Sequence, residues 1–97
     1  MAQFDVHARS GGLLVLDCQT DLLLIDTRLV VPLVPQVAVG NLIRRLNPLL
    51  MVNGVELVMM TQTMSTIRAA TLGPVVASLG EDQDRIKAAI DMLLSGY

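Results

Sequence analysis

With 97 residues, 53% of them hydrophobic, the chain carries enough apolar side chain for one core and too little length for two, so one domain over residues 1–97 is expected. A formal net charge of -2 and a pI near 5.0 argue against broad nonspecific nucleic-acid binding, which depends on Lys and Arg neutralising phosphates. One cysteine excludes an intramolecular disulfide, and with only Phe4 and Tyr97 aromatic the core must be filled by Leu, Val and Met.

In chain order, residues 3–8 alternate as a strand does, with Phe4 and Val6 on one face and Gln3, Asp5 and His7 on the other. Arg9-Ser10-Gly11-Gly12 supplies a turn. Residues 13–18 are nearly all apolar, which predicts a strand buried on both faces that completes a hairpin, and Gln19-Thr20-Asp21 ends it. After the apolar loop 22–25, residues 28–35 are extended, because Pro32 and Pro35 remove ladder donors and bias their neighbours away from helix; an edge strand or barrel corner is expected. Val39, Leu42, Ile43 and Leu46 have helical spacing, weakened by Gly40 and short length, and predict at most a helical turn.

The sharpest local signal is Asn53-Gly54 between the apolar runs 49–52 and 55–60, a type I′ hairpin because both residues accept positive φ. Residues 65–72 predict a further strand, broken by Gly73-Pro74. From residue 81 to 94 the period becomes helical, with Ile86, Ala89, Ile90, Leu93 and Leu94 on one face. Glu81, Asp82 and Asp84 complement its positive end, and Gly96 is placed to stop it in the left-handed conformation. The whole reads as a β-barrel-like sheet with a C-terminal helix.

Chemistry-bearing constellations are sparse. His7 is the sole histidine and has no cysteine beside it, so a surface or half-buried role is expected rather than a zinc ligand. No serine sits in a nucleophile elbow, and Gly11-Gly12 lacks the continuation of a phosphate loop. Asp17, Asp21 and Asp26 are close enough in sequence to hold Mg²⁺, but pairing of Asp17 within the sheet and turn bonding by Asp21 and Asp26 explain them better. Cys18 reads as a small buried hydrophobe, the methionines as core filling, and Arg44-Arg45 as solvated charges. The start lacks the pattern of a signal peptide and no apolar run reaches the roughly 20 residues that span a bilayer, which leads to the expectation of a cytoplasmic protein.

Several stretches, in order, resemble the CcdB family: Gln3-Phe4-Asp5-Val6-His7, Leu16-Asp17-Cys18-Gln19-Thr20-Asp21-Leu22-Leu23, and Thr27-Arg28 through Pro32-Leu33. Leu46-Asn47-Pro48, Met59-Met60-Thr61-Gln62-Thr63-Met64, the segment 85–91 and Ser95-Gly96-Tyr97 continue the likeness over nearly the full chain. The resemblance implies a mainly β fold, an SH3-like barrel of the CcdB/MazF kind with a C-terminal helix. It further implies a homodimeric toxin of a toxin-antitoxin pair, of the sort used in plasmid maintenance, that binds the DNA gyrase A subunit and traps the cleaved complex without a catalytic residue, cofactor or metal. A cognate CcdA-like antitoxin would neutralise it, and the pair would reach operator DNA only as a complex, to repress its own transcription.

By position the resemblance carries the gyrase-binding surface onto Gln3, Phe4, His7, Thr20, Leu22, Leu23, Asp91, Ser95, Gly96 and Tyr97. The chain departs from the family at the tip: Ser95 stands where some members have tryptophan, and Tyr97 where isoleucine is usual. Two other readings follow from the shared barrel and the altered tip, a MazF-like ribonuclease toxin and an inactive relative that retains only antitoxin binding and operon repression. The ribonuclease requires cationic and acid-base groups at the scissile phosphate, for which no convincing set can be assigned.

Overall fold

The computed structural model describes residues 2–97. Its strands are β1 (Asp5–Ala8), β2 (Leu14–Asp17), β3 (Thr27–Val34), β4 (Leu49–Val52), β5 (Val55–Met59), β6 (Ser65–Arg68) and β7 (Val75–Ser78), and a helix, α1 (Gln83–Ser95), follows them. The strands form one antiparallel sheet in the order β4-β5-β3-β2-β1-β7, with β6 beside the first half of β3. The sheet curls into a half-barrel. Asn53, at the tip of the β4-β5 hairpin, donates from Nδ2 to the Val76 carbonyl on β7 at 3.0 Å, which draws the two ends of the sheet together.

Alternation decides what the curl encloses. Val6, Leu16, Val31, Leu33, Leu50, Val52, Leu57 and Met59 point inward from five strands and meet Ile86 and Ala89 of α1, with Phe4, Cys18 and Leu79 joining them from the strand ends. These aliphatics fill the core with Phe4 as its one ring, and removal of such side chains from water supplies most of the driving force. Val15, Val30 and Val58 lie on the opposite face and are also buried, so the centre of the sheet is covered on both sides. That double burial is why β2 reads as a continuous apolar run.

The turn chemistry operates as the sequence predicts. Asn53 and Gly54 have φ of 50° and 81°, and Gly11 and Gly12 have 80° and 79° in the β1-β2 turn. Gly96 has φ 82° and donates its N–H to the Met92 carbonyl at 2.9 Å, ending α1 as expected.

Four expectations are corrected. β3 is an interior strand: β2 pairs along one side, while β6 pairs with Thr27 to Val30 and β5 with Leu33 and Val34 on the other. Pro32 is tolerated there because its carbonyl faces Met60 N–H at 3.0 Å. Its missing donor therefore falls on the side where the neighbouring strand changes from β6 to β5. The stretch 37–46 forms no helix; a 3₁₀ turn at Gln36–Ala38 and a tight turn closed by Asn47 N–H on the Ile43 carbonyl at 2.7 Å satisfy its backbone instead. The strand expected over 65–72 stops at Arg68 and becomes a 3₁₀ turn at Ala69–Thr71. β7 was not expected at all. It pairs with β1 at a joint where Gly73 lies so close that a β-carbon there would overlap the Ala8 carbonyl.

Candidate protein-binding surface

The β2-β3 register sets Asp17 opposite Val30, so Arg28 is its diagonal neighbour on the same face. Asp17, fully buried, accepts from Arg28 Nε at 2.8 Å, and a terminal guanidinium nitrogen reaches Asp21 at 3.0 Å and the Gln19 carbonyl at 3.2 Å. Burial works against the charge on Arg28, but the two carboxylates more than offset it and hold the guanidinium above its ordinary range. Gln3 N–H bonds the Asp21 carboxylate at 3.0 Å, and Gln3 Nε2 bonds the Cys18 carbonyl at 3.1 Å. The Gln3 N–H first, then Arg28, pulls the Asp21 carboxyl below its usual value.

This clasp secures both feet of the loop between β2 and β3 and leaves the loop itself outside. Leu22, Leu23, Leu24 and Ile25 are all exposed, Leu24 to 98%. Four consecutive exposed apolar side chains on an anchored loop form a patch with no cover in its own fold, which marks an interaction surface. Thr20 sits at the base of the loop and accepts from the Leu22 N–H at 3.3 Å.

A second surface lies on α1. Phe4 occupies positive φ, 71°, with its carbonyl accepting from Leu79 N–H at 2.8 Å, so its ring turns into the core beneath the helix. The Lys87 ammonium lies 5.9 Å from the centre of that ring. Lys87, Asp91 and Leu94 follow at four and three residues, which places them along one flank of α1. Beyond the core the helix face stays apolar while its cover ends: Leu93 is partly exposed, Leu94 is 74% exposed and Tyr97 79% exposed. The predicted inward stripe thus splits, with Ile86 and Ala89 buried and Leu93 and Leu94 presented outward. Glycine at 96 turns the chain at the last helical turn and sets the direction of Tyr97.

Gln3, Phe4 and the loop base therefore form one connected strip through Asp21 and Lys87. Asp91, Ser95, Gly96 and Tyr97 lie at the helix end and are exposed, as are Leu22 and Leu23, while Thr20 and Gln3 are half-buried. Phe4 and His7 are corrected: both are buried, His7 to 3% exposure, and offer no side-chain surface to a partner in this form. His7 Nδ1 lies 3.0 Å from the Gly73 carbonyl, an acceptor, so the proton sits on Nδ1 and Nε2 has no protein partner. Its cross-strand neighbours Val15 and Val75 account for its burial. Leu24 and Ile25 were missed by residue-wise reading; the signal for them was the unbroken apolar run in a loop.

Asp17 and Asp21 share Arg28, and Asp26 offers its carbonyl to Ala69 N–H at 2.8 Å, so the three aspartates anchor the loop. Among the described residues no three His, Cys, Asp or Glu side chains gather as a metal site, and no helix is long and apolar enough to cross a membrane. Cys18 is buried as predicted, and burial first, then Asp17, pushes its thiol up to about 12. What the arrangement offers chemically is apolar contact area held by a rigid polar base.

A family model described as CcdB protein matches residues 3–96. None of the curated proteins matches the chain.

Proposed function

Because the chain belongs to the CcdB family, whose members are toxins of toxin-antitoxin pairs, we propose that it binds the A subunit of DNA gyrase and traps the cleaved gyrase-DNA complex. It acts as a homodimer by binding alone, and a cognate CcdA-like antitoxin neutralises it. The observation that carries this reading is the end of α1, where Leu94 and Tyr97 are exposed around the left-handed Gly96. A partner that covers Tyr97 gains the kind of aromatic anchor that contributes about 2 kcal/mol or more at an interface centre. The exposed leucines 22 and 23 and Asp91 supply the surrounding contact.

The test compares the wild type with a truncation lacking Gly96 and Tyr97, by growth arrest on expression and by accumulation of cleaved DNA with purified gyrase. Wild type is expected to arrest growth and trap cleaved DNA, and the truncation to do neither while keeping its urea midpoint. A folded truncation as toxic as the wild type would overturn the assignment of this tip.

A further inference from the structure

Three of the chain's seven basic residues surround one groove. Arg44 and Arg45 stand on the loop before β4, and Arg85 on the first turn of α1, around a cavity of about 710 Å³ floored by Leu42, Pro48 and Ala88. That volume lies within the range of small-ligand and peptide pockets. Arg85 is fixed in place: it donates to the Leu49 carbonyl at 2.6 Å and pairs with Asp82 at 3.4 Å. Among the described residues Arg44 and Arg45 make no ion pair and no side-chain hydrogen bond. In a chain of net charge -2, unpaired cations concentrated at the rim of an apolar groove create a local field opposite to the molecule's own.

We propose that this arginine-rimmed groove docks a peptide segment of another chain, one that is acidic and carries an apolar anchor residue. Its carboxylates meet the guanidinium groups, which accept planar bidentate partners, and its apolar side chain fills the floor. Nucleic acid fits less well: phosphates would match the arginines, but the floor has no aromatic face on which a base can stack. The groove is also separate from the helix tip. At about 100° per residue, Arg85 and Ala88 lie on the flank of α1 opposite Lys87, Asp91 and Leu94. Arg85 lies about 18 Å from Tyr97 along the axis at 1.5 Å per residue. The inference stands independently of gyrase binding.

The experiment selects random displayed peptides on the full chain, then measures the enriched peptide by fluorescence anisotropy against wild type and the charge-reversed R44E/R45E variant. Both arginines are exposed, so the variant is expected to fold, with R44Q/R45Q as the milder change. Enriched sequences should be acidic with a large apolar residue, and their binding should weaken with added salt. R44E/R45E should bind roughly tenfold or more weakly, and R44Q/R45Q less severely so. The truncation lacking Gly96 and Tyr97 should bind the peptide as wild type does. Neutral or basic consensus sequences, equal affinity of wild type and R44E/R45E, loss of binding in the truncation, or tighter binding of a single-stranded oligonucleotide at equal charge would each overturn the proposal.

Discussion

Arg28 is the residue on which the loop's attachment turns, because it alone neutralises a carboxylate with no access to water. Its replacement by Met leaves Asp17 buried and unpaired, which costs about 3–5 kcal/mol. The D17L/R28M double change removes both charges and is expected to be less destabilising than R28M alone; urea denaturation of the three proteins gives the comparison, and equal midpoints for wild type and R28M would contradict it. Cys18 yields a pH prediction. Its thiol titrates near 12 when folded and near about 8.5 when unfolded. The folded state therefore binds the proton more tightly: the stability contribution is complete below about 8.5 and is lost as pH rises toward the folded value. Alkylation of native protein should stay slow across that window, and unfolding midpoints should fall with alkalinity less steeply in Cys18→Ala. Asp21 has the opposite sign. Its depressed folded pKa gives stability that is present above the ordinary value of about 3.9 and is lost as pH falls through the folded one. The sequence allows Asp17 an in-sheet partner without naming one, because register selects Arg28 and register is a long-range property. The same reason hides the burial of His7: alternation places it on the outer face of β1, and only the packing of the completed sheet covers that face.

At the scale of elements, local chemistry was readable wherever it was also sufficient. Asn53-Gly54, Gly11-Gly12 and Gly96 each sit where positive φ is required, and the hairpins and helix end follow. β3 was legible as extended but not as interior, since the ladder gap at Pro32 is harmless only where two different strands share one side. β7 was hidden because Val75 and Val76 are both exposed and give no alternation; β1 defines it. Two glycines separate these cases experimentally. Gly54→Ala faces open space at φ 81° and costs about 1–2 kcal/mol in conformational strain. Gly73 has no such φ, yet a methyl there collides with the Ala8 carbonyl at the β1-β7 joint, so Gly73→Ala is expected to cost about 3 kcal/mol. Denaturant midpoints that rank Gly54→Ala as the more damaging would show that the joint yields easily.

For the whole molecule, the apolar residues that the core does not use gather at two places, the 22–25 loop and the end of α1. The sequence displayed both, since a leucine run in a loop and an apolar stripe that outlasts its helix's cover are legible as patterns. It left open whether they would be buried on folding, because that depends on where the curl of the sheet ends. A surface of this kind is costly to leave in water, and closed two-fold pairing is the commonest way for one chain to cover it. Sedimentation is therefore expected to give a dimer at micromolar concentration. Replacing Leu22 and Leu24 by Asp should shift the mass toward the monomer without disturbing the urea midpoint expected of an exposed site. Pairing also bears on toxicity, because two helix tips presented together bind a two-fold gyrase subunit with an avidity that neither tip has alone. The Asp variant, although its tip is intact, should then lose growth arrest along with the dimer. Purified wild type should leave RNA uncut throughout. A protein that stays monomeric, arrests growth and cleaves RNA at defined sequences would replace the binding mechanism with a catalytic one.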